Sequence, residues 1–191
     1  MNFSTKFIFC IALILIYSSK INANNTWTID KELSEIKFEL PVVLTKKVKG
    51  QFRKFDGFVV LDEENKENNR ALFSIQINSM EINYEKYKEL LFSSIFFDEI
   101  NFPISTIDTK KFILPNNSNS LQINAELQIK DIYHVIPLKI EFNHLTNNFV
   151  QVKASLQFSR TSYELGKNRW SSTLILRDII HLNANLFFSR K

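Results

Sequence analysis

The chain has 191 residues, with 24 basic and 20 acidic side chains, 18 phenylalanines, three glycines and a single cysteine. So even a charge balance gives no electrostatic case for nucleic acid, and one cysteine cannot build a disulfide framework. A chain of this length holds one domain, which must be stabilised by its apolar core.

In chain order, Lys6 gives a short positive start, Phe7 to Tyr17 is an uncharged apolar run, and Ser18 to Ala23 is more polar and ends in a small residue. This order predicts a secretory signal over residues 1–23, cleaved after Ala23, and a mature domain over 24–191. The apolar run has eleven residues, too few for a stable membrane span. Cys10 lies inside it, so the mature chain carries no cysteine. Cleavage also removes Lys6 and Lys20 but no acid, leaving 22 basic against 20 acidic side chains.

Beyond the signal, Trp27 to Asp30 starts an ordered segment. Glu35 to Leu40 then alternates, with Ile36, Phe38 and Leu40 on one face, as a half-buried strand does. Val48 to Phe52 and Phe55 to Leu61 continue the pattern, with Gly50 and Gly57 expected where a strand bends. Lys46, Lys47, Lys49, Arg53 and Lys54 make a local basic stretch, read as a solvated rim. After a polar turn, Ala71 to Ile77 alternates again.

From Asn83 the period changes. Tyr84, Tyr87 and Leu91 are spaced three and four apart, which predicts a short helix from Tyr84 to Ser93 with Asn83 as its N-cap, closing one side or end of the domain. Ser105 to Leu114, Leu121 to Lys130, Val135 to Asn143, Val150 to Ser159 and Leu174 to Phe188 supply the remaining strands. Leu121 to Lys130 and Val150 to Ser159 each place an apolar residue at every second position. The count is roughly eight, in one antiparallel barrel or sandwich whose inner faces form an apolar space.

The anchors Trp27, Ile29 and Asp30, then Ser34, Ile36 and Phe38, then Gly50, Phe52, Phe55 and Gly57 follow a W-x-I-D, S-x-I-x-F and G-x-F-x-x-F-x-G progression. Phe96, Phe97, Asp98, Phe102 and Pro103 make a second block, and Leu127, Ile129 and Ile132 a third. Phe158, Arg160 and Tyr163 then form an F-x-R-x-x-aromatic signature. In this order, over nearly all of residues 27–188, the chain resembles the YceI-like family and is identified as a divergent member. It departs at Val42, where the family commonly has histidine, and at Tyr87 to Leu91, in place of an R-D-x-H-L run. Asp131, Ile132 and Tyr133 replace G-x-T, and Glu164 replaces a glycine. The resemblance implies an all-β fold, an eight-stranded antiparallel lipocalin-like barrel with one short helix, exported to the periplasm or secreted. It also implies a polyisoprenoid or fatty-acyl ligand held inside.

The candidate apolar wall is Phe38, Phe52, Phe55, Phe73, Ile75, Phe96, Phe97, Leu127, Phe142 and Phe158, although any one of these packs equally well as ordinary core. Arg160 has two readings: a contact to a ligand head group at the barrel mouth, or a pair with Asp178 on the outer wall. His134, His144 and His181 lack the spacing of a metal site, and no cofactor motif, phosphate loop or nucleophile elbow is present. Glu63 and Glu64 sit in a charged turn and read as solvated.

The expected function is therefore an exported carrier or sequestering protein for a long-chain apolar small molecule, without catalysis. The alternatives are a filled barrel acting as a stress-related structural or interaction protein, and a lipid-modifying enzyme. Monomer and homodimer are left open.

Overall fold

The computed structural model describes residues 25–40, 47–62, 64–115 and 118–190. The signal, its cleavage point, Cys10, Val42, Lys46 and Glu63 lie outside them.

Alternating side chains produce ten strand segments: β1 (Thr26–Leu40), β2 (Val48–Phe52), β3 (Phe55–Val60), β4 (Arg70–Gln76), β5 (Met80–Ile82), β6 (Ile104–Asp108), β7 (Ser120–Ile129), β8 (Ile132–Thr146), β9 (Phe149–Ser159) and β10 (Ile179–Ser189). β1 pairs with both β2 and β3, while β4 pairs with β3 and β5 with β2. β2 and β3 are therefore one descending stave interrupted at Arg53 and Lys54, and β4 and β5 one ascending stave interrupted by a 3-10 turn over Ile77–Ser79. Every neighbouring pair is antiparallel, and β10 pairs back onto β1. The result is a closed eight-stave up-and-down barrel, in which closure leaves no edge along the β1–β10 seam.

β1 is longer than the alternation over Glu35–Leu40 predicts. It runs from Trp27 at one end of the barrel to Leu40 at the other, with a register shift between Asp30 and Glu35. There the Asp30 carboxylate accepts the Glu32 and Leu33 N–H groups, both at 3.1 Å, satisfying donors that the ladder leaves free. Near the Trp27 end, Arg70 at the start of β4 donates to Asp108 at the end of β6 through Nε at 3.1 Å and Nη2 at 2.6 Å.

Four sequence expectations change. The helix shrinks to a 3-10 turn over Glu85–Tyr87 followed by α1 (Lys88–Phe92). Asn83 does not cap it; its side chain accepts from the Lys49 N–H and donates to the Lys47 carbonyl, stitching the start of β2 to the end of β5. The strand expected to reach Leu114 stops at Asp108, and the chain turns under the barrel so that the Phe112 N–H donates to the Asn69 carbonyl. Leu174 to Asp178 is loop rather than strand, for a reason set by Arg160.

Candidate functional site

Inward side chains of all eight staves enclose three apolar voids that share walls. The upper void, about 60 Å³, lies toward α1; the lower, about 130 Å³, lies toward Trp27. A waist of about 40 Å³ shares Ile75, Ile107 and Leu182 with the upper void, and Phe73, Leu138 and Leu186 with the lower. The waist therefore lies between the two and shares walls with each.

The upper void is bordered by Phe38 on β1, Phe52 on β2, Ile75 on β4, Leu127 on β7 and Phe158 on β9. Phe96 and Phe97, from the segment after α1, cover its outer end with Leu91. Phe73 and Phe142 border the lower void instead, on opposite sides of the barrel. Phe55 borders none of the three. It lies on the inward row with Gly57 and Val59, opposite Ile75, but its ring packs in the core next to the β2–β3 interruption rather than against a void.

Gly50 and Gly57 do more than permit a bend. Gly50 is directly opposite Phe38 and Gly57 directly opposite Phe73, and a Cβ at either position would overlap the facing ring. Each ring thus lies over a missing side chain, flat against the barrel wall instead of projecting across the lumen. The Phe38 and Phe52 rings meet at 5.4 Å, and Phe73 meets Phe188 edge-on at 6.0 Å.

On the far side of Leu91 and Phe96 lies a vestibule of about 280 Å³ between α1 and the loop joining β9 to β10. Tyr84, Lys86, Tyr87 and Leu90 face Trp170 and Leu176 across it, and Leu40, Val48, Leu91 and Phe96 are shared with the upper void. This is the helix-side mouth. Lys86 is its cation, held 5.0 Å from the Tyr87 ring.

Arg160 is fully buried and borders the upper void, but its guanidinium is turned into the β9–β10 loop. Nε donates to the Arg177 carbonyl at 3.0 Å, Nη1 to Leu165 at 2.8 Å, and Nη2 to Leu176 at 2.8 Å, with longer bonds to Ser172 at 3.3 Å and Ser171 at 3.4 Å. Five carbonyls thus converge on one planar fork, which is why residues 174–178 curl inward instead of extending β10. Burial lowers the Arg160 pKa from its ordinary value, and the nearby Asp178 opposes this. Asp178 makes no direct bond to the guanidinium; its Oδ1 accepts from the Thr161 hydroxyl at 2.7 Å and from the Thr161 N–H at 3.1 Å. Neither reading of Arg160 from the sequence foresaw a ring of main-chain acceptors.

Gly166 makes this packing feasible. It has φ of +92°, and a Cβ there would sit 2.8 Å from Arg160 Nη1 and 2.9 Å from the Trp170 carbonyl. Its N–H and that of Lys167 both donate to the Ile95 carbonyl, tying the loop to the segment after α1. Tyr163, also fully buried, donates to the Leu127 carbonyl at 3.2 Å, and burial pushes its pKa up to about 12. Its ring meets Phe158 at 5.3 Å and His134 at 4.9 Å, both edge-on.

Among the described residues no three His, Cys, Asp or Glu side chains come together as metal ligands, and no helix is long and apolar enough to cross a membrane. His134 bonds the Ser162 carbonyl, His144 packs on Phe142 beside the lower void, and His181 faces outward. The Trp27 indole nitrogen is buried without a hydrogen-bond partner among the described residues, at a cost of about 1–3 kcal/mol.

The YceI-like domain matches residues 27–188. The fold is similar to that of BcnA from Burkholderia cenocepacia, at 19% identity and a TM-score of 0.74, covering 83% of this chain and 98% of that one. A polyisoprenoid-binding domain from Saccharophagus degradans, implicated in plant cell wall breakdown, aligns at 13% identity and 0.69, covering 86% and 98%. The Campylobacter jejuni YCEI protein aligns at 21% identity and 0.66, covering 79% and 90%. No curated protein sequence matches.

Proposed function

Since the chain belongs to the YceI-like family, we propose that it is an exported carrier or sequestering protein for one long apolar molecule, a polyisoprenoid or a fatty-acyl compound, held without covalent chemistry. The observation that carries this reading is the apolar barrel interior, where the vestibule at the helix-side mouth and three voids share walls in succession. The Saccharophagus relative, described as polyisoprenoid-binding, supports the isoprenoid class. Burial yields about 0.8 kcal/mol per methylene, so a dozen buried methylenes contribute roughly 10 kcal/mol without any polar contact. The individual voids are smaller than such a chain. Loading therefore turns partly buried rings such as Phe97 and Phe38 aside.

The apolar run Phe7–Tyr17 and the small residue Ala23 support export, to the periplasm or outside the cell. The test is native mass spectrometry of protein exported through its own signal and purified without detergent, followed by solvent extraction. A bound apolar molecule, or saturable uptake of a long-chain isoprenoid or fatty-acyl probe, supports the reading. The small size of each void favours one second reading, a filled barrel acting through its surface. Protein that carries nothing and takes up neither probe establishes that alternative.

A further inference from the structure

The waist lies between the two larger voids, sharing wall residues with each, and its own wall is unusual. On one side Ala154 of β9 and Ala184 of β10 stand directly opposite one another, both bordering it. Their neighbours along the same row are Ile140 on β8 and Ile36 on β1, so the two smallest side chains sit where larger ones flank them. Elsewhere on the waist wall, Phe73 is folded onto Gly57 in the recess that its missing Cβ provides. A small residue on one wall and a ring laid flat on another both leave space at the middle of the lumen.

We propose that this waist is the length-selecting element of the barrel: a single long chain threads through it from the mouth and ends in the lower chamber beside Trp27. The proposal rests on the apolar-ligand reading above. Its scale follows from the strands. From Ile180 at the upper void to Phe188 at the lower, β10 advances eight residues, about 26 Å along the strand, or about 20 Å along the barrel axis at the usual tilt. An extended carbon chain advances about 1.2 Å per bond, by the covalent geometry that gives an extended residue about 3.6 Å over three bonds, so about sixteen carbons span both chambers. A chain of about half that length, entering from the mouth, reaches no further than the upper chamber and does not meet the waist. The upper and lower walls are apolar, so any polar end stays at the mouth, near Lys86.

The only two tryptophans report on the two ends: Trp170 borders the vestibule and Trp27 the lower void. In a Trp170→Phe background, octadecanoate brominated at its methyl end should quench Trp27, whereas decanoate brominated likewise should not. Adding Ala154→Leu should abolish the Trp27 quench and weaken octadecanoate binding at least tenfold, while decanoate binding changes less than twofold. Ala184→Val serves as the milder second variant, and a thermal melt confirms that each has folded. If octadecanoate binds but never quenches Trp27, or if both folded waist variants leave the quench and the length preference intact, the threading proposal is overturned. If neither acid binds the wild-type protein, nor any isoprenoid probe, the carrier reading itself fails.

Discussion

Replacing Arg160 by methionine keeps an unbranched stem of similar reach in the upper void while removing every donor that the β9–β10 loop depends on. Five carbonyls lose a partner, three of them bonded at 2.8–3.0 Å. A buried acceptor left unsatisfied costs about 1–3 kcal/mol, but the variant also removes the expense of burying a cation, which burial already disfavours here. Setting one against the other leaves a net loss of about 3–5 kcal/mol, the range found when a buried charged network is broken from one side. For a domain of this size that lowers the melting temperature by about 10 °C. The loss should be local: amide exchange at Gly166 and Lys167, whose N–H groups bond to Ile95, should accelerate far more than exchange in β7 or β8. Arg160→Lys should rescue little, because an ammonium cannot serve carbonyls spread around a planar fork. A melting temperature within about 2 °C of wild type, with unchanged exchange at Gly166 and Lys167, refutes this account. If that variant also lost affinity only for anionic-headed lipids, the head-group role would be restored.

The Arg70 guanidinium beside Asp108 holds its carboxyl down to about 2 from the ordinary 3.8. A carboxyl lowered on folding adds stability above pH 3.8 that is lost as the pH falls toward 2, so Asp108→Asn should flatten the acid side of the stability curve there. After screening at the half-exposed Arg70 the difference is about 1–2 kcal/mol, and identical acid melts of the two proteins would show that the pair contributes nothing. Phe73→Trp should lower lipid stoichiometry at an apo stability cost of about 1–3 kcal/mol, because a larger ring no longer fits over Gly57; full loading at wild-type stoichiometry would place the ligand elsewhere. Intact-mass measurement of exported protein should give Asn24 as the first residue, and a mass that includes Met1 would overturn the cleaved-signal reading.

What the sequence disclosed and what it hid divide along a physical line. Alternation in Leu121–Lys130 and Val150–Ser159 reports directly which side chains face inward, and β7 and β9 follow it almost residue for residue. Phe55 obeys the same rule, inward and opposite Ile75, yet alternation cannot say whether an inward ring borders a void or packs as core, and Phe55 packs. Arg160 was visible as an odd residue on an inward row, but its partners are main-chain carbonyls up to seventeen residues away, and every residue has a carbonyl. Gly50 and Gly57 were read as bends because sequence shows only that a side chain is missing; register shows which ring fills the gap. The helix was overextended because Tyr84 and Tyr87 have helical spacing, yet Asn83 is drawn into bonds with Lys47 and Lys49 rather than into a cap.

The seam between β1 and β10 joins the first and last of the described strands, pairing Thr28 with Ser189 and Glu39 with His181. A nascent chain that has not yet released Ile179–Ser189 therefore has nothing to lay against β1, and both borders of its sheet stand open with unpaired N–H and C=O groups. Closure waits on β10 and pairs residues far apart in the sequence, so folding should be slow for the domain's size. During that interval, holding the chain unfolded protects it from pairing with its neighbours.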